Sequence, residues 1–121
     1  MQEHWVANDG IRLWTMGIDQ TLEALRAFVA ERDWQQFHTP ENLAKSVSIE
    51  AAELLECFQW QATPDNKAVA AELADVLTYC LLLVDRLGLD PLEIVANKLE
   101  ETKAKYPVEK ARGSSVKYDQ L

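Results

Sequence analysis

A chain of 121 residues is one domain's worth, and 48% hydrophobic residues are enough for a real core. Its net charge of −8 is uneven: residues 1 to 96 carry 6 basic and 16 acidic side chains, whereas residues 97 to 121 carry 6 basic and 4 acidic. An acidic body repels a nucleic-acid backbone, which argues against duplex binding. The positive last quarter is either a solvated tail or a source of donors for a small anion, with a cation as mediator.

In chain order, residues 1 to 17 show little periodicity, and Trp5 and Trp14 are expected to cover apolar surface. Asp19 then precedes "QTLEALRAFVAERDW", in which Leu22, Leu25, Phe28 and Val29 follow helical spacing. Thr39 and Pro40 supply a cap and a first-turn proline for a helix to about Gln59. Thr63 and Pro64 repeat the device for a third helix, to about Leu87, where Gly88 provides a left-handed stop. Asp90 to Glu93, "DPLE", opens a fourth helix that fades before Tyr106 and Pro107. With no sustained period of two, the fold class is all α, a helical bundle with short connections. No repeat or low-complexity run breaks the chain, so a single compact unit is the default.

No segment reaches about 18 uninterrupted apolar residues, and the start lacks a basic stretch followed by an apolar one. A cytoplasmic protein with no membrane partner is the expectation. Cys57 and Cys80 sit in apolar helical context without metal-ligand spacing and read as reduced core thiols.

The anomaly lies in "SIEAAELLECFQW", Ser48 to Trp60. Leu43, Val47, Leu54 and Phe58 share one side of the second helix, and Glu50 projects among them, with Glu53 at the border and Glu56 toward water. The third helix contains "VLTYCLLLV", apolar nearly all round and so the expected centre of the bundle; Glu72 and Asp75 lie just upstream. Carboxylates three apart on a helix are neighbours, and a carboxylate removed from water costs several kcal/mol. Two facing pairs on antiparallel helices would enclose a negative pocket that needs a cation. Hard oxygen donors select Mg²⁺, Mn²⁺ or Ca²⁺. A di-iron centre requires Glu-x-x-His pairs, and neither His4 nor His38 follows a glutamate at that spacing. An acidic face that is merely solvated, or that bridges subunits, is the other reading of these pairs.

Taken together, "EAAELLECFQW" and "ELADVLTY" resemble the E-x-x-E and E-x-x-D signature of the all-α nucleoside triphosphate pyrophosphohydrolases, the MazG-like group. "ERDWQQFHTPENL", "FQW", "KYP" and the tail "ARGSSVKYDQL" extend the resemblance to the dCTP pyrophosphatase branch and its bacterial relatives, over residues 18 to 121, leaving 1 to 17 as an extension. The resemblance implies a four-helix MazG-like bundle completed by oligomerisation, as a homotetramer built from dimers. It implies Mg²⁺, with Mn²⁺ as substitute, and cleavage of a nucleoside triphosphate between the α and β phosphorus to the monophosphate and pyrophosphate. By the same resemblance Glu50, Glu53, Glu72 and Asp75 are metal ligands, and Glu53 is the choice for general base. Trp34, His38 and Trp60 match residues around the base, Tyr79 one that lines sugar and phosphate, and Lys98, Lys105 and Tyr106 residues at the phosphate end.

One position departs from the pattern: Thr102 stands where relatives usually carry asparagine, and a hydroxyl cannot reproduce an amide's paired donor and acceptor. That bears on the preferred nucleotide. dCTP or a modified dCTP is the first expectation, and dUTP or a broad set of triphosphates the second. A non-catalytic helical interaction protein is the alternative of another class.

Overall fold

The computed structural model describes residues 17 to 121; Trp5 and Trp14 lie outside the described residues. Five α-helices occur in the order α1 (Ile18–Glu31), α2 (Pro40–Glu56), α3 (Asn66–Arg86), α4 (Pro91–Lys105) and α5 (Val108–Ala111). Single 3₁₀ turns lie at Gln35–Phe37 and Tyr118–Gln120, and no strand occurs among the described residues. The all-α reading holds, with one short helix more than expected. The described residues fall into two compact units, divided between Gly88 and Leu89.

Several helix ends differ from the sequence expectation, each for a local reason. α1 begins one residue before Asp19: Gly17 takes the cap position, and its amide donates to Oε1 of Gln20 at 3.2 Å. Asp19 therefore sits in the first turn, where a carboxylate favours the positive end of the helix. The same helix stops at Glu31, short of Trp34, because Asp33 adopts a left-handed conformation (φ 52°). α2 starts as expected, with Thr39 Oγ1 accepting from the Asn42 amide at 3.2 Å, but ends at Glu56, before Gln59. The cap of α3 is Asp65, which accepts from the Lys67 amide at 3.2 Å, and Thr63 and Pro64 belong to the preceding connection. Gly88 makes the expected left-handed stop (φ 69°). Asp90 Oδ1 accepts from the amides of Leu92 and Glu93, both at 2.9 Å, which starts α4 where the "DPLE" spacing places it.

In the first unit α2 packs along α3, and α1 joins through α3. Among the described residues the buried apolar side chains are Leu22 and Val29 of α1 and Leu43 at the start of α2. α3 is the centre of the packing, as expected, since both α1 and α2 lie against it, but it is not fully buried. None of its residues is fully buried, and Leu73 and Leu77 are 44% and 56% exposed. Apolar composition marks what a helix can bury; it does not supply the covering surface. Phe58, assigned to the same stripe as Leu43, is likewise largely exposed.

A carboxylate trio between two helices

Helical periodicity sets Glu50 and Glu53 on one face of α2, and the pairing of α2 with α3 brings Glu72 to them. One oxygen from each of the three carboxylates lies within 4.8 Å of the other two. Oxygens bound to one octahedral ion at 2.0–2.1 Å are about 2.9 Å apart when adjacent and about 4.2 Å apart when opposite, so the three carboxylates would draw together around a single Mg²⁺. Glu50 and Glu72 are half-buried and Glu53 is exposed, the border position anticipated for it. Asp75 is exposed and stands outside the trio.

Two carboxylate oxygens, Glu50 Oε2 and Glu72 Oε2, are shut off from water and have no hydrogen-bond partner. A buried acceptor without a donor is rare in native proteins, because its lost hydration is not replaced. The protonation balance of both groups responds. Glu50 is held above the ordinary glutamate range by the neighbouring Glu53 carboxyl first, then by lost water and by the charges of Asp75 and Glu72. Glu72 is raised by lost water first, then by Glu53, Asp75 and Glu56. Glu56 had no expected part, since its side chain points outward; its charge is felt by Glu72 all the same. A divalent cation would answer all of these features at once: it supplies the missing partner, removes the need for a proton, and turns repulsion into shared coordination. The donor set of carboxylates alone fits Mg²⁺ or Mn²⁺.

The turn after α1 places the aromatic residues. The Trp34 amide donates to the Val29 carbonyl at 3.1 Å, which stands the indole edge-on against Phe28, ring centroids 5.6 Å apart at 79°. His38 follows the 3₁₀ turn, 6.5 Å from Trp34 between ring centroids, and its backbone region is fixed by Asn42, whose Nδ2 donates to the Phe37 carbonyl at 3.0 Å. His38 also lines a cavity of about 530 Å³ with Val29, Leu43, Leu82 and the Arg26–Asp85 ion pair. None of the trio lines that cavity. The ion pair has Arg26 Nη2 at 2.6 Å from Asp85 Oδ1 and raises the Arg26 pKa; two residues far apart in sequence carried no local sign of it. Trp60 is 88% exposed, and Tyr79 is half-buried one turn beyond Asp75.

Lys98, Lys105 and Tyr106 lie in the second unit. Lys98 Nζ is 3.0 Å from Glu101 Oε2, a contact that lowers the Glu101 pKa. Thr102 donates its hydroxyl to the Lys98 carbonyl at 2.9 Å, so the one donor it has in place of an amide is used on its own helix. Cys57 and Cys80 are both half-buried thiols.

A family model described as MazG-like matches residues 45–121, a stretch that includes the whole trio. The chain belongs to the MazG-like family. Among its MazG-like relatives, dCTP pyrophosphatase 1 from Mus musculus is 40% identical over 117 residues, covering 85% of this chain and 69% of the relative. The Homo sapiens dCTP pyrophosphatase 1 is 38% identical with the same coverage. Among solved structures, a pyrophosphatase from Archaeoglobus fulgidus superposes with a TM-score of 0.68 at 43% identity, covering 74% of this chain and 92% of that one. With these relatives and the trio together, this MazG-like chain is an enzyme of the pyrophosphohydrolase type, which sets aside the non-catalytic alternative. No helix among the described residues is long and apolar enough to cross a membrane.

Proposed function

We propose that the enzyme is a Mg²⁺-dependent nucleoside triphosphate pyrophosphohydrolase. It cleaves the α–β phosphoanhydride of dCTP, or of a modified or non-canonical (d)NTP, to the monophosphate and pyrophosphate, and so cleans the nucleotide pool. The observation that carries this reading is the pair of buried, unpartnered oxygens on Glu50 of α2 and Glu72 of α3, two carboxylates that cluster with Glu53. Glu50, Glu53 and Glu72 would hold the cation, with Asp75 joining by a side-chain movement or through water. When bound, Mg²⁺ neutralises phosphate charge and lowers the pKa of water.

The remaining work belongs to the chain. Glu53, exposed at the mouth of the trio, accepts the proton of the attacking water. Tyr79 lines sugar and phosphate, and Lys98, Lys105 and Tyr106 supply donors to the departing pyrophosphate. Trp34, His38 and Trp60 take the base, the indoles by stacking and His38 by a directional hydrogen bond. Assembly as a dimer of dimers would cover the exposed apolar residues Ile49, Leu55, Leu73 and Leu77.

A second substrate reading, dUTP or a broad set of triphosphates, is favoured by Thr102, whose hydroxyl is engaged with Lys98. A panel of nucleotides with Mg²⁺, read as pyrophosphate against orthophosphate, separates the two. Pyrophosphate from dCTP and its 5-modified forms in preference to dUTP supports the first; equal release from all supports the second; orthophosphate alone contradicts the proposed bond.

A further inference from the structure

The cations of the C-terminal unit are held in different ways. Lys98 pairs with Glu101 at 3.0 Å, and Lys103 with Glu100 at 3.1 Å. Lys105 makes no ion pair at contact distance among the described residues, although Glu101 one turn back feels its charge; its ammonium stands 4.8 Å from the centroid of the Tyr118 ring. Tyr118 is carried there by the tail, which turns at Gly113 (φ 73°) and comes back to the end of α4. The Tyr118 amide donates to the Tyr106 hydroxyl oxygen at 3.2 Å, and the two rings meet edge to face, 6.1 Å apart at 81°. Residues 12 apart in sequence are thus closed into one aromatic platform beneath a single lysine.

We infer that Tyr118 is a positioning residue for Lys105: the tail holds the ammonium on an aromatic face, charged and without a contacting carboxylate, ready for a polyphosphate. The phosphate ligand in this inference rests on the proposed function. A contacting carboxylate has to be released or shared when an anion arrives, as Glu101 would be by Lys98. A ring attracts the cation through its quadrupole and leaves the charge in place. Lysine also has a four-carbon stem whose freedom is lost when a phosphate fixes it; holding the stem beforehand removes part of that loss at binding. Tyr106 contributes the latch by accepting from the tail, a role separate from any contact of its own with substrate.

The test uses the full chain and NMR of the Lys105 side chain. Protons beside Nζ over a ring face are shifted upfield by the ring current. That shift is expected in the parent and in Tyr118→Phe, which keeps the ring, and is expected to vanish in Tyr118→Ala. Titration with Mg²⁺ and inorganic pyrophosphate should move the same resonances. Affinity should fall about two- to fivefold in Tyr118→Ala, stay within twofold in Tyr118→Phe, and be the same in Lys105→Ala and Lys105→Ala/Tyr118→Ala. Unshifted Lys105 protons in the parent overturn the inference. So does a Tyr118→Ala loss of equal size in the Lys105→Ala background, which would mean that the ring acts without the lysine. If the shift and the pyrophosphate response are present while no nucleotide releases pyrophosphate, the placement of Lys105 stands and the proposed reaction falls.

Discussion

The two units of the chain handle charge in opposite ways. In the first, Glu50, Glu53 and Glu72 converge with no cation near them, and two of their oxygens are buried without a partner. In the second, Lys98 and Lys103 each pair with an acid one turn away, and Lys105 rests on an aromatic ring. Lys98 and Lys103 are answered within their own unit, whereas no described residue answers the trio. Charge left unanswered inside a fold marks where a ligand belongs; charge answered on an exposed helix surface marks only solvation or a modest local preference.

The largest expected effect comes from removing the unanswered charge. Glu50→Gln with Glu72→Gln should lower Mg²⁺-dependent pyrophosphate release by about a thousandfold, while the thermal midpoint of the metal-free protein rises or holds, because repulsion has been relieved. A loss of activity accompanied by unfolding would place the two residues in the scaffold and not in the site.

The metal should act on stability through the same residues. Mg²⁺ at a hundred times its dissociation constant stabilises a folded protein by about 2.7 kcal/mol, a shift of roughly ten degrees for a domain of this size. Melts with and without Mg²⁺ should show the shift in the parent and none in the double variant.

Base stacking comes next. Trp34→Ala should raise the KM for nucleotide about 5- to 100-fold, the range of one lost stacking contact, and leave the Mg²⁺-dependent melt unchanged. A changed melt would tie Trp34, which packs on Phe28, to the core instead of the base.

The pH dependence of the metal-free protein gives a smaller and more specific signal. Glu50 and Glu72 bind protons more tightly folded than unfolded, since both are held above the ordinary glutamate range. Their contribution to stability is complete below the unfolded glutamate pKa and is lost as pH rises through the raised values. With chelator present, thermal midpoints should therefore drop from about pH 4.5 upward on account of this pair, and Mg²⁺ should reverse the trend, because it binds the deprotonated trio. A flat profile in chelator would mean that the carboxylates do not sense one another.

The smallest effect belongs to the answered charges. Glu101→Ala should change neither melt nor turnover appreciably, since its pair with Lys98 is exposed. Lys98→Ala should leave the melt alone while weakening nucleotide binding. Equal turnover in the two variants would remove Lys98 from the phosphate end.

Much of this contrast was legible in residue order, for physical reasons that differ by position. Glu50 stands out because helical periodicity is a local rule, and a carboxylate four residues from Leu54 must share its stripe. Asp90 with Pro91 could be read as a start because cap and proline agree. Thr63 followed by Pro64 has the sequence form of a helix start, and only the backbone shows that Asp65 holds the cap. The end of α1 was misplaced because nothing in "ERDW" demands a left-handed residue at Asp33. The exposure of α3 was hidden for another reason: a run such as "VLTYCLLLV" states its need for cover without stating what provides it. Tyr118 was within the tail that carries the family resemblance, yet its contact with Lys105 arises from chain reversal, which no spacing rule encodes.

The central claim is that three carboxylates of α2 and α3 share one divalent ion. Mn²⁺ titration followed by electron paramagnetic resonance, without nucleotide, addresses it most directly. The account predicts saturable binding in the parent, displaced by Mg²⁺ and abolished in Glu50→Gln/Glu72→Gln. Equal binding by parent and variant, or none by the parent, would contradict it.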